Sequence, residues 1–251
     1  MTISRSLRTR DSIHASRVRV RFKEALLPGV LVARYKRFFA DVRLADGSLV
    51  TTHCANPGSM KSCLELGGRV WISRAENPKR KLKYTWELAE VAGERVFVNP
   101  LRANDVCREA IKRGRVQELQ GYSILRREVP YGQRSRIDFL LSGGASDCYV
   151  EVKNMTLSLG GGRAAFPDSI TERGKRHLEE MLSVVHQGKR AVLLFCVART
   201  GVRSAEPADE IDVAYADTLR RVVREGVEVI AYRCAIDEQQ VILDVPLPVL
   251  L

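Results

Sequence analysis

The sequence predicts an α/β protein in two parts, a small closed β-barrel followed by a mixed sheet wrapped by helices. Three observations point there. Apolar and polar residues alternate from Val30 to about Val98, the pattern changes to helical spacing after Asn99, and "RAVLLFCV" (190–197) is a continuous apolar run typical of a central strand. At 251 residues, with 45% hydrophobic and 28% charged residues, the chain can bury a sizeable core and lies far from the disordered regime. The expected division is a basic, disordered extension over 1–24, the barrel over 25–98 and the second domain over 99–251.

In the first part, "VLVARYKRFFADVRLADGSLVTTHC" (30–54) holds three short strands with Asp46-Gly47 as a turn signal. "GGRVWISRAENPKRKLKYTWELAEVAGERVFV" (67–98) continues the meander, with Ala92-Gly93 as another turn. Five or six short strands in about 70 residues suit a barrel of the OB type. Within it, "NPKRKLKYTW" (77–86) gathers Lys79, Arg80, Lys81 and Lys83 beside Tyr84 and Trp86, cations for phosphates next to rings on which bases can stack. A solvated loop with Trp86 as a core residue fits the same letters.

In the second part, Asn104 can cap a helix through Arg113 that turns Val106, Cys107, Ala110 and Ile111 to one face, with Gly114 ending it. "GYSILRREVPYG", "SRIDFLL" and "DCYVEVKN" supply three strands. A long helix follows from about Asp168, capped by Asp168 or Ser169, with Leu178, Met181, Leu182 and Val185 at helical spacing and Gly188 closing it. The strand at 190–197, a helix around 213–225 and "VEVIAYRC" complete the order α-β-β-β-α-β-α-β, an α/β layer architecture.

Lys and Arg number 41 against 30 Asp and Glu, and the net charge of +11 favours polyanionic partners such as nucleic acid or an anionic membrane surface. No stretch approaches the roughly 18 consecutive apolar residues of a membrane span, and the N-terminus lacks a secretory apolar core. A cytoplasmic protein without a membrane partner is expected. Cys54, Cys63, Cys107, Cys148, Cys196 and Cys234 are scattered without a C-x-x-C pair, so they read as reduced core residues rather than a zinc site or disulfide framework. The first residues carry Arg5, Arg8, Arg10, Arg17, Arg19 and Arg21 against Asp11. They read as a disordered arm; contact with nucleic acid, an organelle transit peptide and an overlong gene start are competing readings.

The chemistry concentrates in "SRIDFLLSGGASDCYVEVKN" (135–154). A hairpin turning at Gly144 and Ala145 places Asp138 opposite Glu151, with Cβ atoms ~5 Å apart, and Lys153 on the same face. Two carboxylates so close repel unless a cation neutralises them. Lys153 supplies one charge; a Mg²⁺-like ion with open positions for water and phosphate supplies more, and such a centre hydrolyses phosphodiesters. D-x₁₂-E-x-K is a loose pattern, however, and a salt-bridged trio on a solvated face shows the same letters.

Eight blocks, "RYKRFFADVRL", "NPGSMKSCLELG", "NPKRKLKYTWEL", "IKRGRVQELQGY", "SRIDFLL", "YVEVKNMTL", "FPDSITERGKRHLEEM" and "PADEID", resemble the sugar fermentation stimulation protein A family from about residue 28 to the C-terminus. The resemblance implies an OB-like domain joined to a domain of the PD-(D/E)XK nuclease fold, with DNA binding and a part in regulating sugar (maltose) metabolism. Carried over, the nuclease motif falls on Asp138, Glu151 and Lys153, and the acid that related nucleases place on the first helix matches Glu109. Asp138, Glu151 and Glu109 are then the metal ligands, for Mg²⁺ or Mn²⁺. Ser62-Cys63, Leu66 and "NPLRAND" depart from the family pattern.

"FPDSITERGKRHLEEM" adds Arg173, Lys175 and Arg176 at a helix N-terminus, where amides already favour an anion, so a phosphate near the metal and a merely solvated face both fit. His177 is a further candidate general base, and Gly160 to Gly162 read as a loop beside the site, without the Lys-Ser/Thr pair of a phosphate loop. Three functional classes follow: a Mg²⁺-dependent nuclease on single-stranded or structured DNA, a non-catalytic DNA-binding regulator, and a structural protein whose trio is a salt-bridge network. The sequence leaves the oligomeric state open and is compatible with a homodimer.

Overall fold

The computed structural model of the chain describes residues 20–77, 79–132 and 135–251. Most of the arginine-rich arm lies outside the described residues. Its last part is not an arm: β1 (Val20–Arg21) pairs antiparallel with residues 240–241 near the other end of the chain, and Phe22 is buried.

Alternation then builds the barrel from β2 (Leu27–Tyr35), β3 (Phe39–Leu44), β4 (Leu49–His53), β5 (Arg69–Arg74) and β6 (Tyr84–Val91), extended by β7 (Glu94–Phe97). The strand order β4-β3-β2-β5-β6 is closed by a parallel bridge between His53 and Thr85, giving the five-stranded OB-type barrel. Ala92 and Gly93 both take positive φ, 50° and 75°, which is the two-residue turn geometry that matches strand twist in a tight hairpin. Leu31, Val42, Ile72, Trp86 and Val96 fill the interior.

The second part runs α1 (Ala103–Lys112), β8 (Ile124–Tyr131), β9 (Ser135–Ser142), β10 (Cys148–Met155), β11 (Leu157–Gly160), β12 (Arg163–Phe166), α2 (Glu172–His186), β13 (Arg190–Val197), β14 (Ser204–Pro207), α3 (Val213–Arg224), β15 (Glu228–Ile236) and β16 (Gln240–Leu247). Its main sheet has the order β1-β16-β15-β13-β10-β9-β8, with β10, β13 and β15 mutually parallel and the remaining pairs antiparallel. Val106, Cys107 and Ala110 of α1 pack on one face with Phe139, Val150, Val152 and Leu194. Leu178 and Met181 of α2, with Leu219 and Val222 of α3, pack on the other with Leu140, Leu193 and Phe195. Buried from both sides, β13 is the continuous apolar run seen in the sequence.

Four features depart from expectation. β16 extends the sheet, and β11, β12 and β14 form a separate small sheet in which Gly160 to Gly162 make a hairpin turn. The N-cap of α2 is Thr171, whose hydroxyl accepts from the Gly174 amide at 3.0 Å, rather than Asp168 or Ser169. Asn104 lies inside α1 and caps nothing.

One buried cluster spans the two parts. Trp71, Leu88 and Phe97 point out of the barrel into the cluster that holds α1 and the main sheet, while their neighbours Ile72, Ala89 and Val96 point inward. Guanidinium groups of Arg69 and Arg95 lie 5.0 and 5.3 Å from the Trp71 ring, where the ring's negative face attracts them.

Candidate active site

The β9–β10 ladder keeps the register read from the sequence, pairing Cys148 with Leu141, Tyr149 with Leu140 and Val150 with Phe139. Backbone pairing stops there, one rung short of Asp138 and Glu151. Instead, Asp138 Oδ2 accepts the Val152 amide at 2.7 Å, so a carboxylate replaces the missing backbone acceptor where the strands diverge. Its other oxygen accepts from Asn104 Nδ2 of α1 at 2.7 Å.

Glu151 is approached from the other side. Its Oε1 receives Lys153 Nζ at 2.6 Å and lies 2.5 Å from His177 Nδ1 of α2. Arg173 Nε donates to His177 Nε2 at 3.3 Å, which makes Nε2 the acceptor and leaves Nδ1 to carry the proton offered to Glu151. Glu151 is 3% exposed and its Oε2 is buried without a partner among the described residues. The expectation of three charges on one face is therefore corrected. Glu151 and Lys153 face α2, whereas Asp138 is turned into the strand gap and held from α1.

Burial and then the Glu151 charge push the Asp138 carboxyl up to about 6, against the hydrogen bonds from Val152 and Asn104 and the charge of Lys153. Burial would also raise Glu151, but the His177 hydrogen bond and the Lys153 charge overcome it and hold the group below its ordinary value. The Asp138 carboxyl thus sits within the field of Glu151.

Glu109 does not join them. It pairs with Arg108 at 3.4 Å and lies about 140° around the helix from Asn104, the α1 residue that reaches Asp138. Among the described residues no three His, Cys, Asp or Glu side chains are placed to hold a metal ion. The donors that fit a hard divalent ion are Asp138 and the unpartnered Glu151 Oε2; two carboxylates with water and phosphate are a set that Mg²⁺ accepts.

Two residues of the site escaped sequence reasoning. Asn104 read as a cap, and Tyr131 at the end of β8 carried no signal. Its hydroxyl is buried without a partner among the described residues, and burial followed by the Glu151, Glu180 and Asp138 charges raises its pKa. His177 was visible as a residue on the buried stripe with Gly174, Leu178 and Met181.

The expected nucleic-acid residues divide. Lys79, Lys81, Lys83, Arg173 and Arg176 are exposed, while Arg80 is half-buried and donates to Thr85 Oγ1 at 3.2 Å. Lys175 is half-buried beside Glu172 at 3.2 Å. Tyr84 packs on the barrel core. Trp86 is 0% exposed and donates its indole N–H to the Leu88 carbonyl at 2.8 Å, so it is a core residue and no stacking platform.

The family model described as "Sugar fermentation stimulation protein RE domain" matches residues 101–240, and that described as "SfsA N-terminal OB domain" matches residues 32–98. The chain is 50% identical over 231 residues to a sugar fermentation stimulation protein homolog of Maricaulis maris, covering 92% of this chain and 98% of that one. It is 51% identical over 226 residues to one of Pelobacter propionicus, covering 90% and 98%. Pyrococcus furiosus SfsA, solved in complex with Ca²⁺, has the same fold, with a TM-score of 0.84 at 24% identity over 94% of this chain and 100% of that one.

Proposed function

The chain belongs to the sugar fermentation stimulation protein family, and on that premise we propose that it is a Mg²⁺- or Mn²⁺-dependent DNA nuclease of the PD-(D/E)XK type. The observation that carries this reading is the buried Oε2 of Glu151, without a partner among the described residues, in a carboxylate whose charge reaches Asp138. A buried carboxylate oxygen left without a donor costs several kcal/mol in ordinary structural sites, roughly the penalty that a bound cation removes. The Ca²⁺ complex of the Pyrococcus furiosus relative supports the same class of ion, since Ca²⁺ and Mg²⁺ both take hard oxygen ligands.

In this reading Asp138 and Glu151 hold the ion, which when bound polarises a phosphodiester and acidifies water. Lys153 has its Nζ fixed by Glu151 Oε1, so it can orient the attacking water and balance charge on the phosphate. His177 fixes the Glu151 carboxylate from behind, and Arg173 fixes His177. Asn104 and the Val152 amide do the same for Asp138. The net charge of +11, with exposed Lys79, Lys81, Arg173 and Arg176, favours a DNA partner. All six cysteines are buried and unpaired, as suits a reducing cytoplasm.

The test is cleavage of duplex, single-stranded, flap and junction DNA with Mg²⁺ or Mn²⁺. Wild-type protein cuts at least one of them, and Glu151→Ala and Lys153→Ala abolish cutting while binding persists. Equal residual cutting by both variants refutes the reading. A second reading, a non-catalytic DNA-binding regulator of sugar (maltose) metabolism, is favoured by the absence of a third acid placed for a metal among the described residues. It requires salt-sensitive binding without turnover.

A further inference from the structure

Between the barrel and the catalytic sheet lies a groove of about 480 Å³. Its lining comes from Asn154, the residue after Lys153, from two walls of the barrel, the β2–β3 turn with Arg37 and the segment after β4 with Asn56 and Pro57, and from Phe166, Pro167 and Asp168. Both walls are locked. Arg34 Nη2 donates to the carbonyls of Arg37, Asn56 and Gly58 at 3.1, 3.0 and 3.0 Å. Ser59 Oγ donates to the Asp168 carbonyl at 2.8 Å and the Met60 amide donates to its carboxylate at 3.3 Å. A side chain at Gly58 would put its Cβ 2.3 Å from Asp168 Oδ2, so the loop approaches this closely only because residue 58 is glycine.

The polar groups left over are specific. Asn154 Oδ1 has no hydrogen-bond partner among the described residues. Asn56 spends its Oδ1 on the Gly58 amide at 2.9 Å, leaving its NH₂ group for other acceptors. Arg37 is exposed and makes no ion pair among the described residues. An apolar surface of phenylalanine and proline, amide donors and acceptors at the edge, and one cation at the rim, with the Asp168 carboxylate already engaged by the Met60 amide, match a nucleotide: base on the apolar surface, base edge on the amides, phosphate on the guanidinium. A pocket lined by lysines alone would suit only backbone, and a wholly apolar one would reject the base edge.

We propose that this groove receives one unpaired nucleobase next to the scissile phosphate, making DNA with a bulged or unpaired nucleotide the preferred substrate. The inference rests on the nuclease reading above, because only there does Asn154 stand beside a phosphate. A base stacked and paired in a regular duplex cannot fill the groove without leaving its partner, so a lesion that has already unpaired it binds at lower cost.

The test uses full-length Glu151→Gln protein with Mg²⁺, so that bound DNA survives, and fluorescence anisotropy on a perfect duplex, the same duplex with a one-nucleotide bulge, and the bulge made abasic. The bulged duplex binds about tenfold tighter than the perfect one, and the abasic bulge loses that gain. Adding Arg37→Gln or Asn154→Ala brings bulged and perfect duplexes within about twofold while affinity for the perfect duplex is retained. Arg37 is on the surface, so its replacement tests the groove even where Asn154→Ala weakens folding. Equal affinity for bulged and perfect duplexes, or a preference that survives Arg37→Gln or the abasic bulge, overturns the groove assignment alone. Failure to bind any DNA overturns the nuclease reading with it.

Discussion

His177 on α2 places its Nδ1 2.5 Å from Oε1 of Glu151 on β10, joining the helix face to the acid that the sequence pattern marks for metal. Because Arg173 occupies the other ring nitrogen, the imidazole acts as a donor to the carboxylate and is unavailable as a base in this arrangement.

His177→Ala therefore removes one of the two donors on a buried carboxylate oxygen. The expected cost is about 1 to 3 kcal/mol, seen as a lower urea midpoint. Divalent-ion affinity falls about tenfold or more, since the partner that orients a ligand is lost, and His177→Asn or His177→Gln restores part of it if the amide reaches Glu151. Unchanged ion affinity in His177→Ala would separate the histidine from the site.

Asp138 sets a pH dependence. Its carboxyl is pushed up from 3.8 to about 6, so the native state binds the proton more tightly than the unfolded chain. The resulting stabilisation is full below 3.8 and is lost as pH rises through about 6. Asp138→Asn removes that loss, and Asn104 can turn its amide to suit the new partner. In EDTA at pH 7 the variant is expected to be more stable than wild type by about 1 to 3 kcal/mol. Glu151, held below its ordinary value, works in the opposite direction and favours folding at neutral pH.

Mg²⁺ reverses the order of those two proteins. It raises the melting temperature of wild type by satisfying Glu151 Oε2 and the charge of Asp138, with a gain that grows as RT ln(1 + [L]/Kd). Asp138→Asn and Glu151→Gln show little or no gain. A thermal shift of equal size in all three proteins would place the ion elsewhere.

Trp86 separates core from ligand contact. Trp86→Ala should cost about 3 to 5 kcal/mol, whereas Trp86→Phe keeps most of the packing and leaves DNA affinity unchanged. A large loss of DNA binding by folded Trp86→Phe would reinstate a stacking role.

Arg199 tests the joint between the two parts. It is 3% exposed, pairs with Glu94 of the barrel, and donates Nη1 to the carbonyls of Ser62 and Thr156 at 2.8 and 3.3 Å. Arg199→Met removes the donor to the Ser62 carbonyl and the partner of Glu94, while Thr156 keeps the Ser62 hydroxyl, and a loss of about 2 to 4 kcal/mol in a single unfolding transition is expected. Two separate transitions would show that the barrel folds independently.

The strands that alternate and the turns at Asp46-Gly47 and Ala92-Gly93 were legible because their signals are local. So was the β9–β10 register, which follows from a short loop between two apolar runs. The end of that ladder was not, because the divergence is satisfied by a distant side chain, Asn104, that local rules assign to a helix cap. Trp86 and its neighbours Tyr84 and Lys83 give one cluster of letters, yet the pleat sends the tryptophan into the barrel. The edge pairing of β1 with β16 joins opposite ends of the chain, beyond the reach of periodicity.

Trp71, Leu88 and Phe97 leave the barrel to complete the core beneath α1. Swinging the halves apart would expose that cluster, so packing opposes a change in the gauge of the cleft. Any polymer drawn into it must supply the bending itself, and the energy of choosing a target is then set by how easily that polymer gives way.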